Sequence, residues 1–162
     1  MQNLVSKKEE EERRLKALAE YRILGTKPES CYDDITKIAA TTCNVPISLM
    51  TLVDKDKQWF KSKIGLQISE TRRDWSFCTH AIKENSPLII HDAFQDERFI
   101  NNPLVTGDPK IRFYAGFPLR NSDGNKLGTL CVIDRKPGNL TTQQFNIMEL
   151  LSKQIVSFLE LR

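Results

Sequence analysis

The stretch that decides the fold is residues 112–134, RFYAGFPLRNSDGNKLGTLCVID. Two apolar runs flank residues 121–125, whose Asp-Gly pair tolerates positive φ and predicts a β-hairpin. Apolar side chains occupy both faces of each arm, so both faces of the sheet must be covered. We expect helices to cover one face, and the part of the chain that covers the other to be functional.

Length and composition predict one globular domain. The chain has 162 residues, of which 40% are hydrophobic and 28% charged. Its net charge of +3 is too balanced to indicate nucleic-acid binding. We expect no membrane insertion, because no run of about 18 apolar residues is present. The N-terminus, MQNLVSKKEEEERR, is charged where a signal peptide is apolar, so a cytoplasmic protein is expected.

The cysteines are widely spaced and form no C-x-x-C pair; they are Cys31, Cys43, Cys78 and Cys131. This spacing favours free thiols in a reducing compartment over a disulfide framework. The chain has two histidines, and no cluster of Cys and His residues completes a tetrahedral set. We therefore expect no metal site.

Helical periodicity predicts helices near both ends of the chain. The first spans residues 6–24, opens with a capping box at Ser6, and begins with a charged run, KKEEEERR, that we expect to be solvated. A second spans residues 30–43. The last begins at a capping box of Thr141 and Gln144, and its apolar stripe is wider than one buried face requires. The width predicts a partner helix, either the first helix of this chain or a helix of a second copy.

A second hairpin is predicted from the apolar strand 47–53 and the half-polar strand 58–64, the first central in the sheet and the second near an edge. Between residues 66 and 109, the pattern predicts one short helix over 76–84 and one strand over 88–91. This section is too apolar to be a disordered linker, so we expect it to fold over the second face of the sheet. Hairpins between terminal helices predict an α+β domain with an antiparallel sheet.

Short motifs follow one another in order along the chain: YDD (32–34), ISL (47–49), QWF (58–60), ETR (70–72), SFCTHAI (76–82), HDA (91–93), DERF (96–99), NPLVTG (102–107), RFYAG (112–116) and LGTLCVID (127–134). Together they resemble the GAF domains of bacterial signalling proteins. The resemblance implies an α+β fold with a central antiparallel sheet of five or six strands and terminal helices on one face. It implies a pocket on the other face, roofed by residues 66–111. Residues 15–162 would form this single GAF-like domain, and residues 1–14 a solvated helical extension.

The resemblance also implies a non-catalytic signalling input domain that binds a small molecule, dimerises, or does both. The wide apolar stripe of the last helix is what predicts a homodimer through the terminal helices. Such a domain would regulate an output module of the histidine kinase or diguanylate cyclase type, either as a separate partner or within a longer protein. The sequence does not identify the ligand. We expect eight residues to line its pocket: Phe77, Cys78, His80, Asp92, Tyr114, Gly116, Thr129 and Cys131.

Two alternatives remain open from the sequence. One is a dimerisation scaffold whose pocket is filled by side chains, and the other is a thiol-dependent reductase of the free methionine sulfoxide type. Bilin attachment is not expected, because Thr79 separates Cys78 from His80. Cyclic-nucleotide binding is not expected, because this sequence lacks the Asn-Lys-x-Asp-Glu motif of the GAF domains that bind cyclic nucleotides. Heme is not expected either, because a lone histidine such as His80 or His91 is more often structural than a ligand.

Overall fold

The computed structural model describes residues 2–162, and the side chains of residues 6–162. The strands are β1 (Ile47–Val53), β2 (Lys57–Ile64), β3 (Glu70–Arg72), β4 (Leu88–Ile90), β5 (Phe113–Arg120) and β6 (Lys126–Asp134). The helices are α1 (Gln2–Glu20), α2 (Ser30–Cys43), α3 (Phe77–Ala81), α4 (Pro103–Thr106) and α5 (Thr142–Glu160), with 3₁₀ turns at Arg73–Trp75 and Ala93–Gln95. None of these helices combines the length and hydropathy that crossing a membrane requires.

The six strands form one sheet in the order β3-β2-β1-β6-β5-β4, and every neighbouring pair is antiparallel. This confirms the predicted α+β class. The hairpin of β5 and β6 turns around Asn121, whose Oδ1 accepts hydrogen bonds from the backbone N–H groups of Asp123 and Asn125 at 3.2 and 2.8 Å. Gly124 supplies the positive φ of this turn, 84°. Strand β1 is central and β2 lies next to the edge, as predicted.

The terminal helices cover one face of the sheet, and residues 66–111 cover the other. The core under the helices joins α2 and α5 to the sheet through Tyr32, Ile35, Ala39, Met50, Leu52, Phe117, Leu130, Val132, Met148, Ile155 and Leu159. The core on the opposite face lies beneath the segment 66–111, which we call the roof. Its buried members include Leu49, Phe60, Phe77, Phe99, Leu104, Ile111, Tyr114 and Cys131. The two-sided covering predicted from the apolar strands is therefore confirmed.

The first helix differs from its prediction at both ends. Helix α1 begins at Gln2, so Ser6 lies inside the helix rather than capping it. The helix ends at Glu20 and not at residue 24, because Arg22 takes a positive φ of 51° and the backbone turns there. In contrast, the capping box at the start of α5 is confirmed: Gln144 N–H donates to Thr141 Oγ1 at 3.1 Å, and Thr141 N–H donates to Gln144 Oε1 at 2.8 Å.

The partner helix of α5 within this chain is α2, and not the first helix as predicted. The ring of Phe158 on α5 meets Tyr32 of α2 edge-on, with centroids 6.2 Å apart. The pairing accounts for part of the wide apolar stripe of α5. Leu150 and Leu161 remain 65% and 83% exposed.

Two features of the sheet were not predicted. The short strand β3 extends the edge beside β2, where Gln58 pairs with Thr71. A β-bulge opposite Met50 and Thr51 places Lys61 and Ser62 on the same side of β2, where strict alternation would have separated them. Both side chains therefore reach the α2 side of the sheet.

The bulge fixes the start of α2 to the sheet. Lys61 Nζ forms an ion pair with Glu29 at 2.7 Å and donates to Thr26 Oγ1 at 2.7 Å. Ser62 Oγ lies 2.7 Å from Thr36 Oγ1 and donates to Asp33 Oδ1 at 2.5 Å. These partners compensate the cost of burying the Lys61 ammonium group, whose side chain is fully shielded from solvent.

Candidate functional site

A buried polar chain positions the start of helix α3 in the roof. Ser76 caps this helix by accepting a hydrogen bond from Thr79 N–H at 3.2 Å. The Ser76 hydroxyl donates to Gln58 Oε1 at 2.6 Å, and Gln58 Nε2 donates to Thr71 Oγ1 at 2.7 Å. The helix is thereby tied to β2 and β3, and its second residue, Cys78, points at the sheet.

Cys78 is the centre of a thiol–hydroxyl cluster, which we define as Cys78, Tyr114, Thr129, Thr51 and Cys131. The Cys78 sulfur lies 3.2 Å from Tyr114 Oη and 3.1 Å from Thr129 Oγ1. Thr129 Oγ1 in turn lies 3.0 Å from Thr51 Oγ1. Every member is at most 2% exposed, so these groups are one another's partners and are shielded from bulk solvent.

The cluster makes the two thiols unequal. Burial opposes ionisation of Cys78, but the neighbouring Cys131 thiol and the hydroxyl groups of Thr129, Thr51 and Tyr114 outweigh it and lower the pKa of the Cys78 thiol. Burial and the neighbouring Cys78 raise the pKa values of Cys131 and Tyr114 well above their ordinary range. Negative charge in the cluster is therefore best accommodated on the Cys78 sulfur.

Cys43 shows what burial does without such a cluster. It lies in the core between the helices and the sheet, and burial raises the pKa of its thiol to about 11. The hydroxyl neighbours of Cys78, rather than burial itself, therefore distinguish Cys78 from an ordinary core cysteine.

Aromatic rings fill the space beside the cluster. Phe77 stacks on Phe99 with ring centroids 4.0 Å apart and lies 5.1 Å from the ring of Tyr114. The Tyr114 ring lies over Gly116, where a Cβ atom would collide with the phenol. Glycine is needed at 116 because of this close approach.

The space between the roof and the sheet is a small cavity of about 20 Å³. Its lining is mostly apolar and consists of Leu49, Gln58, Phe60, Leu66, Ile68, Thr71, Phe77, Cys78, Leu104, Pro109, Ile111, Tyr114, Cys131 and Ile133. This volume holds roughly one water molecule, whereas pockets for small-molecule ligands measure about 300–1,000 Å³. A metabolite would therefore fit only after the roof had moved.

The structure brings most of the predicted pocket residues together. Phe77, Cys78, Tyr114 and Cys131 line the cavity, Thr129 contacts Cys78, and Gly116 lies beneath Tyr114. Their role in binding a ligand stays a prediction.

His80 and Asp92 do not line the cavity, contrary to the prediction. His80 lies two residues beyond Cys78 on α3 and therefore faces away from it. Its ring meets Phe99 edge-on at 4.9 Å, and burial, with Lys83 and Arg98 nearby, lowers its pKa. Asp92 lies in a partly exposed loop.

The carboxylate of Asp92 is already paired outside the cavity. It accepts two hydrogen bonds from the Arg112 guanidinium at 2.8 and 2.9 Å, which lowers its pKa. It also accepts a bond from Phe94 N–H at 3.0 Å and so caps the turn Ala93–Gln95. These contacts indicate a structural role.

A set of charged residues that the sequence did not single out connects the roof to α1. Glu11 on α1 pairs with Arg73 of the roof at 2.6 Å and with Arg14 at 2.9 Å. Arg14 is 6% exposed and donates to the carbonyl oxygen of Val53 at 2.7 Å. We call Glu11, Arg14 and Arg73 the ionic bridge. The expectation that the charged run is solvated is therefore wrong at Arg14, because its guanidinium is held at the end of β1.

The ionic bridge is electrostatically strong. Burial alone would raise the pKa of Glu11, but the hydrogen bonds and charges of Arg14 and Arg73 outweigh it and lower the pKa from 4.5 to about 2. Arg73 is also joined to α3, because Thr79 Oγ1 donates to the Arg73 carbonyl oxygen at 2.9 Å. The helix that carries Cys78 is thus connected, through Thr79 and Arg73, to α1.

The family comparison agrees with this architecture. Residues 27–158 match the family model described as GAF domain. A cyclic di-GMP phosphodiesterase from Pseudomonas aeruginosa is 37% identical over 150 residues, which are 92% of this chain and 26% of the relative. The chain therefore spans about a quarter of the length of that relative.

Two solved structures share the fold. The GAF domain from an Acinetobacter phosphoenolpyruvate-protein phosphotransferase has a TM-score of 0.63 at 14% identity, over 91% of each chain. A type II free methionine-R-sulfoxide reductase from Thermoplasma acidophilum has a TM-score of 0.66 at 10% identity, over 81% of this chain and 91% of that chain. At these identities the likeness extends to the fold alone, and it does not distinguish a sensor from an enzyme.

Proposed function

The chain belongs to the GAF domain family, and we propose that it is a non-catalytic input domain that regulates an output module in a signalling protein. The observation that carries the proposal is the ionic bridge between the roof and α1. Ligand binding beneath the roof can change the activity of an output module only if it also changes a surface that the module contacts. The terminal helices offer such a surface, and Arg73 and Glu11 connect one of them to the roof.

The input would be received at the thiol–hydroxyl cluster. Polar groups converge there on a cavity that is otherwise apolar, which is typical of a small-molecule site. Because the cavity holds about one water molecule, a larger ligand must displace roof residues such as Leu66, Ile68 and Leu104. Displacement of the roof would also disturb Arg73, and through it Glu11 and α1.

For the output module, we propose an enzyme of cyclic di-GMP turnover. The support is the relative at 37% identity, whose name is that of a cyclic di-GMP phosphodiesterase and of which this chain matches 26%. Of the two output classes expected from the sequence, histidine kinase and diguanylate cyclase, this proposal does not retain the histidine kinase. It keeps the cyclic di-GMP chemistry of the diguanylate cyclase expectation, in the direction of hydrolysis.

We also propose that two copies associate through their terminal helices. Leu150 of α5, Leu161 directly after α5, and Ile38 of α2 are exposed apolar side chains, at 65%, 83% and 48%. Sedimentation velocity at increasing concentration tests this. We expect the wild-type chain to dimerise and the Leu150→Glu variant to remain a monomer. A wild-type chain that is monomeric at all concentrations would overturn the proposed dimer.

A dimerisation scaffold with a side-chain-filled pocket is the second candidate, and the cavity of about 20 Å³ is the observation that favours it. Free methionine sulfoxide, like any metabolite ligand, would fit only after the roof had moved, so the cavity gives the reductase alternative no support over the sensor. The non-catalytic assignment is therefore kept as part of the proposal.

A thermal-shift screen against a metabolite library, followed by hydrogen exchange, distinguishes sensor from scaffold. A sensor predicts a compound that raises the Tm and changes amide exchange in both α3 and α1. In Arg73→Gln, the same compound should still bind and alter α3, but its effect on α1 should be lost. The matched control is Arg72→Gln, because Arg72 is exposed and pairs with Asp74 rather than Glu11. Binding that leaves α1 unchanged in the wild-type chain would overturn the proposed coupling, and a screen without any shift would favour the scaffold.

A further inference from the structure

Two of the four cysteines share one cavity wall, although they come from distant parts of the sequence. Cys78 lies on α3 in the roof, and Cys131 lies on the central strand β6. Both side chains line the same small cavity, and the Cys78 sulfur lies 3.1 Å from Oγ1 of Thr129, which is two residues before Cys131 on the same face of β6. The other two, Cys31 and Cys43, lie on α2 on the far side of the sheet. The chain therefore contains one buried thiol pair and two separate reference thiols.

The surroundings of Cys78 differ from those of a core cysteine that has only apolar neighbours. The hydroxyl groups of Tyr114 and Thr129 lie within 3.2 Å of its sulfur. Hydroxyl donors stabilise a thiolate, and the thiolate is the form of cysteine that reacts with oxidants. Nothing in the proposed coupling through Arg73 and Glu11 requires a thiol at this position.

We propose that Cys78 and Cys131 form a redox-active pair that small peroxides, with hydrogen peroxide as the simplest member, oxidise to a disulfide. The size of the cavity selects this class of oxidant. A volume of about 20 Å³ accommodates a molecule close to water in size, and bulkier oxidants are excluded while the roof is closed. Ile68, which is 46% exposed and lines the cavity, marks the side nearest to solvent.

The reaction has two steps. The Cys78 thiolate attacks one peroxide oxygen, so that an S–O bond forms, the O–O bond breaks, and hydroxide leaves; the proton released by the Cys78 thiol converts that hydroxide to water. The Cys131 thiol then attacks the sulfenic acid of Cys78, an S–S bond forms, and the S–O bond breaks with loss of a second water. The two thiols lose two electrons in total, and the peroxide gains them. The reaction requires neither an output module nor a dimer, so it is independent of the proposed function.

The test treats the reduced chain with increasing hydrogen peroxide, quenches it under denaturing conditions with an alkylating reagent, and maps each cysteine by peptide mass spectrometry. The expected product is a linked Cys78–Cys131 peptide that a thiol reductant separates again. Cys78 should be lost roughly tenfold faster than Cys43, because reactivity follows the thiolate fraction. This experiment needs only the wild-type chain.

Two variants separate the steps. In Cys131→Ser, oxidation should stop at a Cys78 sulfenic acid that dimedone traps, and in Cys78→Ser, Cys131 should stay reduced. Cys43→Ser is the matched control and should leave the linked peptide unchanged. The proposal is overturned if Cys78 stays reduced at peroxide concentrations that oxidise the half-buried Cys31, or if Cys78 and Cys131 are oxidised without becoming linked.

Discussion

Glu11 and Arg73 are 62 residues apart in the sequence, yet their side chains form an ion pair with Oε1 and Nη1 separated by 2.6 Å. One residue belongs to the N-terminal helix and the other to the roof of the cavity. The pair makes the position of the roof and the position of α1 interdependent. Mutating this pair or protonating Glu11 is therefore the most direct way to weaken the contact between the roof and α1.

Stability should depend on pH through Glu11. Its folded pKa of about 2 lies below its ordinary value of 4.5, so its contribution is fully present above 4.5 and is lost as pH falls through about 2. Glu11→Gln should lower the free energy of unfolding at pH 7 by about 1 kcal/mol, a value discounted because a third of the side chain is exposed. Urea unfolding at several pH values measures this. Glu12→Gln, at the exposed neighbouring position, is the control. The prediction would be contradicted if the free energy of unfolding of Glu11→Gln and of the wild type had the same pH dependence.

Arg14 and Arg13 should differ sharply, although they are adjacent. Arg14→Ala removes the hydrogen bond to the Val53 carbonyl and one partner of Glu11, and we expect a loss of about 2–3 kcal/mol. Arg13→Ala should change the free energy of unfolding by less than about 0.5 kcal/mol, since Arg13 is exposed. Chemical denaturation of both variants is the measurement. Equal effects would show that the buried guanidinium contributes no more than a surface charge.

Gly116→Ala should destabilise the domain by roughly 1–3 kcal/mol, because the new methyl group meets the Tyr114 ring. A double-mutant cycle with Tyr114→Ala should show a favourable coupling, since the smaller side chain removes the collision. The matched control is Gly138→Ala, where a Cβ atom would lie 3.4 Å from Phe113, an ordinary contact. Additive effects of Gly116→Ala and Tyr114→Ala would be inconsistent with the geometry described.

Thr129→Val should raise the pKa of the Cys78 thiol, because it replaces a hydroxyl 3.1 Å from the sulfur with a methyl group. The expected result is a shift of the thiolate absorbance titration to higher pH and slower alkylation at neutral pH. Thr106→Val, at an exposed position of the roof, is the control and should leave both unchanged. An unaltered titration of Cys78 in Thr129→Val would mean that the hydroxyl does not stabilise the thiolate.

Local patterns were sufficient for much of the architecture. The turn at Asn121 and the capping box at Thr141 depend on residues within four positions of one another, and both have the predicted form. Thr129 and Cys131 were predicted to face the pocket, and alternation along β6 places both on that face. These features follow from rules that act within a single element.

Contacts between distant segments were not predictable in the same way. The charged run on α1 contains several similar residues, and nothing in its pattern distinguishes Arg14, which is buried against the Val53 carbonyl. The bulge that turns Ser62 toward α2 depends on the register with β1. His80 was expected in the pocket together with Cys78, but two residues on a helix rotate a side chain by more than half a turn, so the two side chains face different ways.

Both outer strands of the sheet belong to the roof, because β3 and β4 end the strand order and lie within residues 66–111. Lifting the whole segment would strip hydrogen-bond partners from β2 and β5 and make these longer strands the edges of the sheet. Long open edges recruit strands from other molecules. Chain movements that admit a ligand must therefore leave β3 and β4 in place and involve only the parts of the roof outside these two strands. A ligand or mutation that detached either strand should produce aggregates instead of a signal.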